Sequence, residues 1–347
     1  MNNWRLNGNK ESRLCKNAED IVSYSPASQH SHIDNIFAHL ISVDERSAAL
    51  NSMHDERSSR LVVTQLGDLR PGVRYMAFIE AKDGTSLHVK DMGHGKPVVL
   101  IHGWPLTGDM FEYQTLALLE SGYRVITYDR RGFGLSGHGA TGYDYDTFAD
   151  DLAAVLDNLD LNSVALVGFS MGGGEIARYL TRHGSARIAK AALVSSVVPY
   201  LLKGDDNPDG VDEGVFDTMK AQVREDRFAF LQDFAKQFYG IGFISRPVSQ
   251  GILDWSFLLG SMASPKATVD CIDAFGRTDF RPDLASFTIP TLIIHGTADK
   301  TVPIEPAGKA AAAGIPGAQF IEYDGEPHGL FATAPGRLND DLIRFIA

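Results

Sequence analysis

Ser170 has the surroundings of a catalytic nucleophile, because it lies between two glycines in the segment Gly168-Phe169-Ser170-Met171-Gly172. This segment follows an apolar run at residues 164–167 and precedes a helix-like stretch from Gly174 to Arg182. A serine on a sharp turn between a strand and a helix has its hydroxyl raised from the sheet edge, and the next backbone N–H, that of Met171, is free to stabilise an oxyanion. Such five-residue patterns also occur by chance at ordinary turns, so the prediction depends on finding partners for the serine.

Two residues later in the chain have the types and positions that such a serine needs. A serine hydroxyl is a poor nucleophile at neutral pH, so it requires an imidazole base, and the imidazole requires a carboxylate that fixes its tautomer. Asp299 follows a strand-like run at residues 291–294, and His328 follows the last such run, at residues 319–323. We therefore predict Ser170 as nucleophile, Asp299 as acid and His328 as base.

The loop His102-Gly103-Trp104-Pro105 is predicted to complete an oxyanion hole. It follows a strand-like run at residues 97–101, and a second backbone donor is needed beside the Met171 N–H. We assign this role to the Trp104 N–H. Pro105 has no N–H and restricts the residue before it, which stiffens the turn, and His102 is interpreted as a structural hydrogen-bonding residue.

Strand-like and helix-like segments alternate along the chain on both sides of these residues. Continuous, β-branched runs of this kind are typical of strands buried on both faces, and sites in such sheets lie at the carboxyl ends of the strands. Residues 197 to about 286 contain no convincing strand and many aromatic residues, which predicts a helical cap inserted between two strands. The expected fold is α/β with a mainly parallel, doubly wound sheet, and the order serine, aspartate, histidine is that of the α/β-hydrolase arrangement. The strand-like runs lie at residues 76–80, 86–90, 97–101, 124–128, 163–167, 191–194, 291–294 and 319–323.

The first 75 residues differ in composition from the rest. They are rich in Asn, Ser, Asp, Glu and Arg, and we expect a poorly ordered N-terminal extension, with residues 76–347 forming the catalytic domain and its cap. Apolar residues at helical spacing within residues 33–41 predict a short amphipathic helix. In one interpretation this helix packs on the main domain or frays in solution. In the other it docks a partner or a membrane surface, and the sequence leaves both interpretations open.

Composition excludes several classes of function. A net charge of −12 without a dense basic block argues against a nucleic-acid partner. The loop at residues 128–137 lacks the lysine and glycine spacing of a phosphate loop, and the acidic residues near position 146 suit a helix N-terminus better than a metal site. We expect no cofactor and no metal.

The absence of a signal-like or membrane-spanning apolar stretch, together with two cysteines far apart in sequence, favours a cytoplasmic protein without a membrane span. A homo-oligomer stays open.

Four motifs together resemble the bacterial cofactor-free haloperoxidases, also described as aryl esterases and perhydrolases. The resemblance runs from about Met76 to Ala347 and excludes the N-terminal extension. The assignment to this subfamily depends mainly on the Trp-Pro pair and on the Ser-Met-Gly-Gly-Gly turn. The motifs are His102-Gly103-Trp104-Pro105, Gly132-Phe133-Gly134-Leu135-Ser136, the segment Gly168 to Gly174, and His295-Gly296-Thr297-Ala298-Asp299.

The resemblance implies hydrolysis of small carboxylic esters through an acyl-enzyme on Ser170. It also implies a side reaction in which hydrogen peroxide replaces water and forms a peracid that oxidises halide, and in the family the Trp-Pro pair, here with Pro105, is associated with that reaction. Short acyl groups are expected. A serine nucleophile disfavours epoxide hydrolases and haloalkane dehalogenases, which use aspartate. A lactonase, a carbon-carbon bond hydrolase and a ligand receptor without turnover stay open.

Overall fold

Eight short runs of apolar and β-branched residues form the strands of a single sheet in the computed structural model, which describes residues 77–347. Each predicted run is a strand, so the predicted fold class is confirmed. The strands are β1 (Ala77–Glu80), β2 (Ser86–Gly93), β3 (Pro97–Ile101), β4 (Arg124–Tyr128), β5 (Val164–Phe169), β6 (Ile188–Val194), β7 (Thr291–Gly296) and β8 (Gln319–Tyr323).

The sheet is mainly parallel. Its strand order is β1-β2-β4-β3-β5-β6-β7-β8, in which β1 with β2 and β2 with β4 pair antiparallel and all other pairs are parallel. At the centre of the sheet, Gly168 of β5 lies beside Ile101 of β3 on one side and beside Leu193 of β6 on the other. The six strands from β3 to β8 therefore end at the same edge of the sheet, which is where the loops that carry Ser170, Asp299 and His328 begin.

Helices cover both faces of the sheet because alternate residues of each central strand point to opposite sides. In β5, Leu166 belongs to the core beneath α2 and α3, whereas Val167 belongs to the core beneath α1 and α9. The helices are α1 (Glu112–Glu120), α2 (Tyr145–Asn158), α3 (Met171–His183), α4 (Glu213–Phe238), α5 (Gln250–Ser261), α6 (Pro265–Arg277), α7 (Ala310–Gly314), α8 (Leu330–Thr333) and α9 (Pro335–Ile346).

The predicted helical cap corresponds to α4, α5 and α6, which lie between β6 and β7 in the chain. Helix α4 is interrupted at Asp226, whose φ of −150° and ψ of 90° are not helical. The Asp226 carboxylate accepts the N–H groups of Phe228 and Ala229 and so caps the second half of the helix. The cap thus contains two helical halves that can face the sheet edge at different angles.

One boundary differs from the prediction at an important place. Helix α3 begins at Met171, directly after Ser170, and not at Gly174. Three successive glycines lower helix propensity, but tertiary packing requires small residues here: a Cβ on Gly174 would lie 2.5 Å from the Phe280 ring. Close packing therefore overrides propensity, and it brings the helix N-terminus to the serine.

Other expectations fall on residues that the structure does not describe. The extension of residues 1–75 and the amphipathic helix within residues 33–41 lie outside residues 77–347, so the boundary near residue 75 stays a prediction. Within the described range, none of the helices is long and apolar enough to cross a membrane.

We expect Leu166→Ala to lower the free energy of unfolding by about 2–5 kcal/mol, because Leu166 is completely buried at the centre of the sheet and its removal leaves a cavity. Urea-induced unfolding measures the change. Leu116→Ala, at an exposed position of α1, serves as the control and should change stability by less than about 0.5 kcal/mol. Equal effects of the two variants would contradict the assignment of the core.

Candidate active site

Ser170 lies on a strained turn between β5 and α3. Its backbone φ is +52° and its ψ is −118°, a region that non-glycine residues rarely adopt and that costs on the order of 1–3 kcal/mol. The turn is held because the Ser170 N–H donates to the carbonyl of Val194 at 2.8 Å and the Ser170 carbonyl accepts the N–H of Gly173 at 3.0 Å. The side chain is consequently fixed at the carboxyl end of the sheet.

The glycine after this turn is required by a close backbone approach. A Cβ on Gly172 would lie 2.3 Å from the carbonyl oxygen of Ile101, at the end of β3. Because that oxygen belongs to the backbone of a central strand, it cannot move aside easily. Glycine at this position therefore lets the first turn of α3 lie directly against the loop that follows β3.

The structure brings together the three residues that the sequence predicts as a triad. His328 Nε2 lies 3.0 Å from Ser170 Oγ, and His328 Nδ1 lies 2.6 Å from Asp299 Oδ2. A carboxylate only accepts hydrogen bonds, so Nδ1 carries a proton and Nε2 is left to accept the serine hydroxyl. All three side chains are buried. The geometry is that of a serine activated by an imidazole base.

Asp299 is the electrostatic anchor of this chain of hydrogen bonds. Its Oδ1 accepts the backbone N–H groups of Thr301 and Val302 at 2.9 and 2.8 Å. Burial by itself would raise the pKa of Asp299, but the neighbouring His328 and His295 and the hydrogen bonds hold that pKa well below its usual value. The carboxylate is therefore charged at neutral pH and can stabilise a protonated His328.

Aromatic rings enclose the base. The rings of Phe169 and Phe238 lie 5.0 and 4.9 Å from the imidazole of His328, measured between ring centroids. Phe238 is the last residue of α4, and its carbonyl also accepts the N–H of Gly329 at 2.8 Å. The cap thus contacts the loop that carries His328 through both a side chain and the backbone.

The two predicted oxyanion donors are available for a ligand. Neither the Trp104 N–H nor the Met171 N–H donates to another group within residues 77–347. The loop that carries Trp104 lies directly against Ser170, since a Cβ on Gly103 would lie 3.0 Å from the Cβ of Ser170. The Trp104-Pro105 peptide bond is cis.

The side chain of Trp104 fixes this loop to the cap. Its indole Nε1 donates to the carbonyl of Thr268 in α6 at 3.0 Å. Its ring packs against three phenylalanines at centroid distances between 5.3 and 6.1 Å, namely Phe230, Phe234 and Phe275. The position of the Trp104 N–H therefore depends on the cap.

Below this loop lies a buried network that was not predicted from the sequence. His102 Nε2 accepts the backbone N–H of Arg130 at 2.9 Å, and the Arg130 guanidinium donates to the His102 carbonyl at 2.8 Å and to Glu175 at 2.7 Å. Burial, assisted by the charge of Arg130, lowers the pKa of His102 to about 3. His102 is therefore neutral and acts as a structural hydrogen-bonding residue, as expected.

A cavity of about 660 Å³ opens above Ser170 and His328. Its apolar lining comes mainly from the cap, and exposed carboxylates of α4 and Lys300 also border it. The apolar residues that line it include Trp104, Val197, Phe216, Met219, Phe230, Phe234, Phe275 and Val302.

The acidic residues near position 146, which the sequence favours as part of a helix N-terminus over a metal site, have other partners. Asp144 caps α2 by accepting the N–H of Thr147 at 3.0 Å, and Asp151 forms a buried ion pair with Arg131 at 2.6 Å. Asp146 and Asp150 pair with arginines of α3. Among the described residues, three or more His, Cys, Asp or Glu side chains are nowhere grouped as metal ligands.

Comparison with known proteins places this geometry in a family. A family model described as alpha/beta hydrolase fold matches residues 96–335. A non-heme chloroperoxidase of Kitasatospora aureofaciens is 45% identical over 274 residues, which are 78% of this chain and 99% of the relative. A bifunctional esterase/perhydrolase of Acinetobacter calcoaceticus is 40% identical over 275 residues, with the same shares. The crystal structure of a bromoperoxidase from Bacillus anthracis is 48% identical, with a TM-score of 0.76 over 78% of this chain and 99% of that one.

The depressed pKa of Asp299 predicts how stability depends on pH. Since that pKa is lower in the folded than in the unfolded protein, where it is about 4, the ionised carboxylate stabilises the fold above pH 4, and the contribution is lost as the pH falls below 4. Asp299→Asn should therefore lose less stability than the wild type on acidification, by up to about 1.4 kcal/mol per pH unit below pH 4.

Urea unfolding of both proteins between pH 6 and pH 3 measures this difference. The exposed Asp209→Asn serves as the control and should follow the wild type. Parallel curves for the wild type and Asp299→Asn would contradict the assignment of a charged, buried carboxylate.

Proposed function

The chain belongs to the alpha/beta hydrolase fold family and, within it, to the group of bacterial non-heme haloperoxidases and esterase/perhydrolases, and on this premise we propose that it hydrolyses small carboxylic esters through an acyl-enzyme and also transfers the acyl group to hydrogen peroxide. The observation that carries the proposal is the hydrogen-bonded series Asp299, His328, Ser170, with distances of 2.6 and 3.0 Å, at the floor of an apolar cavity.

The first half of the reaction uses His328 as the base. As Ser170 Oγ attacks the ester carbonyl carbon, its proton passes to His328 Nε2, and the resulting imidazolium is stabilised by the charged carboxylate of Asp299. The negative charge that develops on the carbonyl oxygen is accepted by the N–H groups of Trp104 and Met171. His328 then donates the proton to the departing alcohol, which leaves Ser170 acylated.

The second half is decided by which nucleophile reaches the acyl-enzyme. Water, deprotonated by His328, releases the carboxylic acid and regenerates the Ser170 hydroxyl. Hydrogen peroxide can take the same place, and the product is then a peroxycarboxylic acid. That peracid oxidises a halide ion to the hypohalous acid and is itself reduced to the carboxylic acid. The peracid therefore oxidises the halide after it has been formed. The side chains of Ser170, His328 and Asp299 are needed only to form the peracid.

The cavity supports small, apolar esters as substrates. Because most of its lining near Ser170 is aromatic or aliphatic, an apolar acyl group gains about 25 cal/mol for each Å² that it buries.

We expect Ser170→Ala to lower kcat for p-nitrophenyl acetate by at least about a thousandfold, because it removes the nucleophile. Release of p-nitrophenol measures the rate. Ser195→Ala is the matched control: Ser195 also directly follows a central strand, is buried, and has a hydroxyl without a hydrogen-bond partner among the described residues. Rapid turnover by Ser170→Ala would contradict the proposal.

Pro105→Ala should lower the ratio of perhydrolysis to hydrolysis several-fold, because alanine adds an N–H and frees the backbone φ beside the Trp104 donor. Peracid formation from acetate and hydrogen peroxide, followed by bromination of a dye, is compared with release of p-nitrophenol. An unchanged ratio would contradict the role of Pro105. Bromination that persists without any carboxylic acid would contradict the peracid route itself.

A further inference from the structure

His295 is a buried titratable residue that the proposed mechanism does not use. It lies in β7, one residue before the end of that strand, and it has no exposure to solvent. It is four residues before Asp299 in the chain. His295 is not among the residues that line the cavity, so it is placed to act on the acid and not on a substrate.

The hydrogen bonds of His295 fix which of its nitrogens carries the proton. Nε2 lies 2.9 Å from the carbonyl oxygen of Val302. A carbonyl oxygen only accepts hydrogen bonds, so Nε2 is protonated and donates. The same Nε2 lies 3.4 Å from Oδ2 of Asp299, so its proton also faces the carboxylate.

A closed set of contacts results between His295, Asp299 and Val302. Val302 donates its N–H to Asp299 Oδ1 at 2.8 Å and accepts from His295 through its carbonyl. His295 in turn faces Asp299 Oδ2, the oxygen that also accepts from His328 Nδ1 at 2.6 Å. Rotation of the carboxylate would break contacts at both of its oxygens, so the set holds Oδ2 toward His328.

The space for the His295 ring depends on a glycine of a neighbouring segment. A Cβ on Gly308 would lie 2.8 Å from His295 Nδ1 and 2.8 Å from its Cβ. Any larger residue at position 308 would therefore push the imidazole from its place. The position of the ring is thus determined by backbone packing on one side and by the acid loop on the other.

We infer that His295 is a positioning residue that holds the Asp299 carboxylate in the orientation in which it stabilises protonated His328. The inference rests on the proposed function, because the orientation matters only if Asp299 and His328 serve as acid and base. His295 touches neither the substrate nor the reacting atoms. Its loss should therefore slow the chemical step and leave substrate binding largely unchanged.

Two substitutions of similar polarity test the inference. The amide N–H of glutamine in His295→Gln reaches the place of the imidazole Nε2, whereas the shorter asparagine in His295→Asn does not. We expect His295→Asn to lower kcat for p-nitrophenyl acetate about tenfold with KM within twofold, and His295→Gln to recover most of that loss. A merely structural role would disturb Val302, which lines the cavity, and would raise KM.

His88→Leu provides the matched control. His88, in β2, is also a buried histidine, and its Nδ1 lies 3.0 Å from a carboxylate oxygen of Asp129. Its loss should lower the thermal midpoint without lowering kcat. Equal kcat in the wild type and His295→Asn, or equal loss in His295→Gln and His295→Asn, would overturn the inference. These results would leave the proposed ester hydrolysis intact, because that proposal is tested separately by Ser170→Ala.

Discussion

Arg130 and Glu175 form an ion pair that has no exposure to solvent, at the point where β4 ends and the helix after the nucleophile begins. Burial raises the pKa of Glu175 and lowers that of Arg130, and the direct contact of 2.7 Å between the two groups opposes both changes. Removing two charges from water costs several kcal/mol for each ion, so such a pair persists only where further hydrogen bonds hold it. Here the Arg130 guanidinium also binds the carbonyl of His102, and its backbone N–H binds the His102 ring. The loop that carries Trp104 and the helix that begins at Met171 are thereby held together.

The cap holds the same site from above. Its helix α6 accepts the indole N–H of Trp104, and the end of α4 binds the loop after His328 through the carbonyl of Phe238. Gln237 of α4 donates to the carbonyl of Lys300, next to the acid, at 3.2 Å. All three loops that surround Ser170 therefore contact cap residues. The cap therefore both lines the cavity and contacts the loops that carry Trp104, Asp299 and His328.

Contacts from the buried ion pair on one side and from the cap on the other explain how the strained backbone of Ser170 is maintained. The positive φ of Ser170 is unfavourable by itself, but the turn is bounded by a close approach of Gly172 to β3 and by backbone hydrogen bonds to β6. The rings of Phe169 and Phe238 pack against His328, which is buried. Both water and hydrogen peroxide are small enough to use the open side of the cavity, so the acyl-enzyme is the point at which the two proposed reactions separate.

Strand periodicity and turn chemistry, which are local properties of the sequence, together with the order of the serine, aspartate and histidine along the chain, were enough to predict the strands, the inserted helices and the three residues that the structure brings within hydrogen-bond distance. It also indicated Trp104 and Met171 as the residues with free amides beside Ser170. It placed the start of α3 three residues too late, since helix propensity does not register the close packing of Gly174 against Phe280. It did not reveal the Arg130–Glu175 pair or the contact of His295 with Asp299. The Arg130–Glu175 pair joins the segment after β4 to helix α3, and the His295–Asp299 contact forms because the loop after β7 packs back against its own strand, so both depend on how the chain packs in three dimensions.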